Sequence, residues 1–349
     1  MVHPGKESNS FMERAVYSHL GSRSRRSVVG PGKGLDNGVV SIDGGRVMIL
    51  TADPISVIPG FGPKLSAWLS VHLIASDYTA SGSDPEFGIF TYNFPEAMRA
   101  ADRREYVEEI GDECRRLGVN IAGGHTGSYP GGGYTVIGSG TMLGFAPEGG
   151  YVTPAMARKG DDVLMTKHAA IEATVTLATS FPAFVDGNVG ATEGGRAREM
   201  VWTCTTVTDA REARKVGLGA GGVSSMHDAT EGGVLGGLEE MAAASNKSFV
   251  IDLERIPVAN EAEDVCSVFR IDPLTTMGEG SLLITCSPDR VEELRRNLRR
   301  SQVPAAVIGR VADGKGLWVR RKRGVPEEFR PGPDAYWKAY ELALKRKLK

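Results

Sequence analysis

No C-x-x-C pair occurs in this chain, and its four cysteines, Cys114, Cys204, Cys266 and Cys286, stand far apart alongside only 6 histidines. That spacing argues against a zinc site or a disulfide framework and for four ordinary buried thiols. No stretch approaches the ~18 consecutive apolar residues of a membrane span, and the first residues have no apolar core of a secretion signal, so a cytoplasmic protein without a membrane partner is expected. Charge of one sign is missing too. Lysine plus arginine number 41 against 43 aspartate plus glutamate, a net charge of −2, which removes the whole-domain electrostatic argument for nucleic acid. The Walker A loop, H-E-x-x-H and the G-x-S-x-G elbow are all absent. The stretch from Gly217 to Gly222 (GLGAGG) fits G-x-G-x-x-G by letter only, because no strand pattern precedes it and no crossover unit surrounds it.

Glycine is abundant: 45 of 349 residues, about 13% against a usual ~7%, with no collagen-like period. Such an excess serves turns, tight packing or backbone approach to ligands. With 41% apolar and 24% charged residues the composition is that of a globular protein, and the length suits about two domains at roughly 150 residues each.

Residues 1–28 are polar and basic and read as an arm with a short helix around Phe11 to Leu20. Strands are expected at 39–42 and 46–51, joined by Asp43-Gly44-Gly45, then a helix over 63–80 and a strand at 88–93. A charged helix over 95–117 stops at Gly118, and strands at 119–122 and 134–143 flank a glycine loop from Gly123 to Gly133. The composition relaxes between Phe145 and Lys159, which puts a domain boundary near residue 150. Beyond it, helices are expected at 170–180, 193–204, 231–245, 287–300 (N-capped by Ser287) and 334–347, with strands near 163–167, 248–252, 281–286 and 305–312. Alternating short strands and helices imply an α/β or α+β fold in each of two domains, 1–150 and 151–349. The basic runs at 320–323 and 345–349 read as solvated faces.

The residues able to carry chemistry are aspartates joined to glycine or to the ends of apolar segments. Asp36 lies in a loop entering a strand, Asp53 where the strand Val47 to Leu50 emerges, Asp77 near the end of the 63–80 helix, and Asp228 just before a helix. Singly, each suits a turn or a helix cap. Together they match what Mg²⁺ needs: a few carboxylate oxygens, with the remaining positions left to water and phosphate. Two glycine segments offer the anion-binding half. Gly123, Gly124 and Thr126, around His125, could bring backbone N–H groups to a phosphate, and Thr230, Gly232 and Gly233 open a helix whose first amides are free. Tight turns and close helix packing explain the same glycines equally well, and His125 alone suits a hydrogen-bonded core histidine.

Read in order, Gly34-x-Asp36, Thr51-Ala52-Asp53, Ser76-Asp77, Gly123-Gly124-His125-Thr126, Lys159-Gly160-Asp161, His227 to Gly233, Glu279-Gly280 and Ile308 to Val311 resemble the aminoimidazole ribonucleotide synthetase (PurM) superfamily. Within it the nearest likeness is to HypE-type hydrogenase maturation factors and AIR synthase related proteins. The resemblance spans residues 28–315. It implies an N-terminal α/β domain whose strands form a β-barrel with a second copy, a C-terminal α+β domain, and ATP with Mg²⁺ in a cleft beside the dimer interface. By position, Asp36, Asp53, Asp77 and Asp228 would hold metal and phosphates. Gly34, Gly123, Gly124, Thr126, Thr230, Gly232 and Gly233 would contact the nucleotide, and His125 and Glu279 would stand near the reaction. The implied chemistry activates an oxygen of a small or carrier-bound substrate by phosphoryl transfer. This sequence departs from the pattern at several points. It has no cysteine at its end (Leu344 to Lys349), Gly127 stands where those enzymes have lysine, His125 where they have aspartate, and Glu231 where they have arginine. A non-catalytic nucleotide-binding scaffold is the alternative.

Overall fold

The computed structural model describes residues 5–58, 60–130, 135–322 and 324–348. Part of the expected glycine loop (131–133), the first residue of the strand expected at 134 and single residues of the two basic runs (323 and 349) lie outside them.

The strands, β1 (Ser27–Val29), β2 (Gly38–Ile42), β3 (Arg46–Ser56), β4 (Phe87–Pro95), β5 (Asn120–Tyr129) and β6 (Val136–Pro147), form one mixed sheet in the order β1-β2-β3-β6-β4-β5. A second mixed sheet orders β7 (Asp162–Thr166), β8 (Val223–Asp228), β9 (Ser248–Asp252), β10 (Leu282–Cys286), β11 (Ala305–Ala312), β12 (Gly316–Arg320) and β13 (Glu327–Glu328) as β13-β12-β9-β11-β7-β10-β8. The helices are α1 (Asn9–Phe11), α2 (Gly62–Thr79), α3 (Ala100–Leu117), α4 (Ile171–Ser180), α5 (Pro182–Val189), α6 (Ala191–Glu199), α7 (Val207–Arg214), α8 (Gly233–Ser245), α9 (Asn260–Phe269), α10 (Val291–Arg300) and α11 (Ala335–Lys345). Two α/β layers result. Among the described residues both sheets are open, so the barrel expected of the N-terminal half does not close within one chain: β1 and β5 are unpaired edges.

Helices α5, α7 and α9 and strands β8 and β12 have no counterpart among the elements expected from the sequence, and two expected elements take another form for local reasons. The expected loop after residue 122 is the body of β5, which pairs in parallel with β4 from Phe87↔Asn120 to Pro95↔Tyr129. Its glycines read as a loop, yet the ladder with β4 supplies the backbone bonds that a loop would have left open. Ser287 does not cap a long helix. A 3₁₀ turn, Pro288–Arg290, follows it, and α10 starts only at Val291.

Helix α2 positions the site. From Ser66 to Thr79 all its residues but Leu73 are buried, because it is sandwiched between the first sheet and the second layer. Pro63 opens it. The hydroxyls of Ser66 and Ser70 accept bonds from the N–H groups of Ile58 (3.0 Å) and Ser56 (3.1 Å), which clamps α2 to the end of β3. In β3 the inward row is Val47, Ile49, Thr51, Asp53, Ile55, so the period of two puts Asp53 on the buried face of an otherwise apolar strand.

Candidate active site in the cleft between the layers

Asp36 and Asp53 come from the first sheet, Asp77 from the last turn of α2, and Asp228 from the end of β8 in the second sheet. Asn37 donates from its side chain to the Asp77 carbonyl (2.7 Å), and Thr51 donates to the Asp36 carbonyl (2.9 Å), so the three N-terminal segments are tied to one another. Gly34 lets the Asp36 loop reach α8. Its φ is +67°, and a Cβ there would stand 2.7 Å from the Glu240 Cβ. Antiparallel pairing sets Asp228 opposite Leu282, which carries Glu279 up beside it just ahead of β10.

The electrostatics are those of crowded carboxyls. Burial, then Asp228 and Asp36, push Asp53 up to about 7. Burial and neighbouring carboxylates, Asp228 first, hold Asp77 and Glu279 well above the usual range, and Asp228 is raised by burial and by Asp36. Asp77 also sits at the negative end of the α2 dipole, which disfavours its charge further. Neither oxygen of Asp228 nor Oε1 of Glu279 has a hydrogen-bond partner.

His227, fully buried, organises one flank. Its Nδ1 lies 2.6 Å from Asp36 Oδ2 and its Nε2 lies 2.9 Å from Glu240 Oε2. Burial works against the imidazolium, but the two carboxylates outweigh it and raise His227 well above its ordinary value. Against its burial, the cationic ring holds Asp36 below the usual range. The ligand atoms of Asp36, His227 and Asp228 all lie within 4.8 Å of one another. A ring protonated at both nitrogens has no lone pair for a metal, so His227 acts as counter-ion to Asp36 and the available donors are oxygens. An all-oxygen set of crowded carboxyls, whose protons a cation would displace, fits a hard divalent ion such as Mg²⁺.

The second glycine segment lies at this cleft in an unexpected state. The Gly232 N–H at the start of α8 donates to Asp334 Oδ2 (2.9 Å), and Thr276 donates to the other oxygen of the same carboxylate (3.0 Å). Asp334 caps α11 as well, through the Tyr336 N–H (2.8 Å). Thr230 accepts from Lys6 Nζ (3.1 Å), and Glu231, instead of repelling an anion, accepts the Lys6 backbone N–H at 3.0 and 2.9 Å. The N-terminal arm is thus laid along the cleft.

The structure does not bring Gly123, Gly124, His125 and Thr126 to the acidic group of the same chain. They lie on the exposed strand β5, and the row Asp53↔Gly140, Gly140↔Phe90, Phe90↔Gly124 separates them from Asp53 by three strand spacings, roughly 14 Å. His125 Nε2 contacts the Tyr129 hydroxyl at 2.7 Å. Sequence reasoning missed the roles of Lys6, Glu172, His227 and Asp334. His227 had a signal in its place beside Asp228 ahead of the glycine-led helix start; the other three had none.

Two mixed sheets with helices around them and a carboxyl-lined cleft between them define a PurM-like two-domain protein. The chain belongs to the AIR synthase related protein family: the family's N-terminal domain matches residues 34–146 and its C-terminal domain residues 158–322. It is 26% identical over 300 residues to the carbamoyl dehydratase HypE of Rhizobium leguminosarum bv. viciae, covering 82% of this chain and 79% of the relative. In fold it is similar to a crystallised HypE–HypF complex (TM-score 0.73, 20% identity, 93% of this chain and 100% of that one) and to the hydrogenase maturation protein HypE in complex with ATP (TM-score 0.69, 19% identity, 95% and 96%).

Proposed function

We propose that the chain is an ATP-dependent, Mg²⁺-requiring enzyme that activates an oxygen of a small or carrier-bound amide, carbonyl or phosphate substrate by phosphoryl transfer. The observation that carries this reading is the convergence of Asp36, Asp53, Asp77 and Asp228, from both layers, on one cleft in which, among the described residues, neither oxygen of Asp228 has a hydrogen-bond partner. The similarity in fold to an ATP complex of HypE supports the nucleotide. Bound Mg²⁺ would neutralise charge on the phosphates. The acceptor oxygen forms its bond to the γ-phosphorus as the bond to the bridging oxygen breaks, and ADP leaves with that electron pair. Thr230, Gly232, Gly233 and the Gly34 loop border the phosphate side, and Glu279 holds a proton beside the reacting oxygen.

In this reading the enzyme is a homodimer. The edge of β5 carries exposed Ile121 and Tyr129, with exposed Ile89 on its neighbour β4 and Val136 on β6 beyond it, and a second copy pairing there would close the sheets toward a barrel. His125, Gly123, Gly124 and Thr126 take part only across that interface.

One observation favours a non-catalytic nucleotide-binding scaffold or maturation-complex partner instead: Asp334 already occupies the Gly232 N–H where a phosphate would sit. Isothermal titration with ATP, with and without Mg²⁺, followed by an assay for ADP release, separates the readings. Mg²⁺-dependent binding with ADP formed supports the enzyme, and binding without turnover across a substrate panel supports the scaffold.

A further inference from the structure

Beside the acidic group the cleft opens into a cavity of about 500 Å³, whose walls include Ile58, Leu69, Leu73 and Met277, with Tyr336 of α11 closing one side. Among its acidic and basic side chains the lining is lopsided: Glu172, Asp53, Glu279 and Glu231 face it against Lys6.

Glu172 stands out among these. It is 7% exposed, and among the described residues no hydrogen bond or ion pair reaches its carboxyl. Glu279, 3% exposed, likewise has an unpartnered oxygen in the same cavity. Among the described residues, buried carboxyls away from the cleft each face a cationic or hydroxyl partner. Asp209 pairs with Lys167 (2.9 Å), Asp161 accepts from Ser224, Glu109 faces Lys64 (3.6 Å), and Glu113 meets His72 (3.3 Å) and Arg116. Leaving a buried carboxyl without a donor costs a few kcal/mol, and among the described residues that state is concentrated in this pocket and at the adjoining Asp228.

We propose that this pocket takes the acceptor substrate by a cationic nitrogen head, an amine, amidine or guanidinium, set against Glu172 with an apolar body along Leu69, Leu73 and Met277. A carboxylate or phosphate head would find Lys6 as its one cationic partner among the described residues that line the cavity, with four carboxyl groups around it. The inference rests on the reading of the cleft as a phosphoryl-transfer site, since it names the acceptor for that site, but its chemistry is measurable without nucleotide.

The test is isothermal titration of the full chain with three probes that differ only in head group: 2-phenylethylamine, 2-phenylethanol and 3-phenylpropionate. The amine is expected to bind at least about ten-fold more tightly than the alcohol, and the carboxylate not at all. In Glu172→Gln the amine is expected to fall to the level of the alcohol. Equal binding of the three probes, no measurable amine binding, or an amine preference that survives in Glu172→Gln overturns the proposal. If that variant does not fold, the ranking in the unaltered protein decides alone. ATP with Mg²⁺, titrated in parallel into the unaltered protein, keeps the two readings apart: amine selectivity without nucleotide binding removes only the phosphoryl-transfer reading, and the converse removes only this one.

Discussion

His227 and Asp36, from different sheets, meet at 2.6 Å with the histidine fully buried. The contact locks the loop of one layer to a strand of the other and fixes the orientation of a carboxylate that, like its neighbours, would otherwise be pushed toward neutrality. Glu240 closes the set at 2.9 Å on the opposite ring nitrogen.

Breaking that set leaves two buried carboxylates without their cation. His227→Gln is expected to destabilise the protein by about 3–5 kcal/mol, read as a lower midpoint in urea unfolding. A midpoint shift below about 1 kcal/mol would show that the contact is electrostatically idle.

Removing one crowding carboxyl has the opposite effect on the fold. Asp77→Asn is expected to leave the melting temperature of the metal-free protein unchanged or a few degrees higher, since it relieves repulsion. Mg²⁺-dependent ATP binding and turnover should fall by about 100-fold or more in the same variant. Full activity in a folded Asp77→Asn protein contradicts the assignment.

Glu172 gives a pH signature. Burial, then Asp334 and Asp53, raise its carboxyl from 4.5 to about 8 in the folded chain. A raised folded value means that the stability it allows is fully present below about pH 4.5 and is lost as pH rises toward 8, because the unfolded chain sheds the proton first. Glu172→Gln should therefore be stabilised relative to the parent by an amount that grows between about pH 5 and 8 and reaches on the order of 3–5 kcal/mol. Denaturant unfolding at several pH values checks this; a pH-independent difference would mean that another partner neutralises the group.

Asp334 competes with any anion at the start of α8. Asp334→Ala should cost about 1 kcal/mol of stability through the lost α11 cap, and should tighten ATP binding by freeing the Gly232 N–H. Weaker ATP binding in this variant would place the phosphates elsewhere.

Much of this arrangement could be read from residues alone, and the remainder for identifiable reasons could not. Strands with short apolar runs, such as β3, β9 and β11, and the helix closed by Gly118 announce themselves through composition and capping. The glycines of β5 misled because their partner strand, not their propensity, makes them extended. Asp36, Asp53, Asp77 and Asp228 stood out since each adjoins a glycine-rich loop or an apolar element. Lys6, Glu172 and Asp334 did not, because only the packing of the arm, α4 and α11 over the cleft gives them neighbours.

The most direct test is anomalous diffraction from crystals grown with Mn²⁺ and a non-hydrolysable ATP analogue. The account predicts a manganese peak among the carboxylates of Asp36, Asp53, Asp77 and Asp228, with nucleotide phosphate on its open side. Nucleotide bound with no manganese there, or manganese held elsewhere, would contradict it.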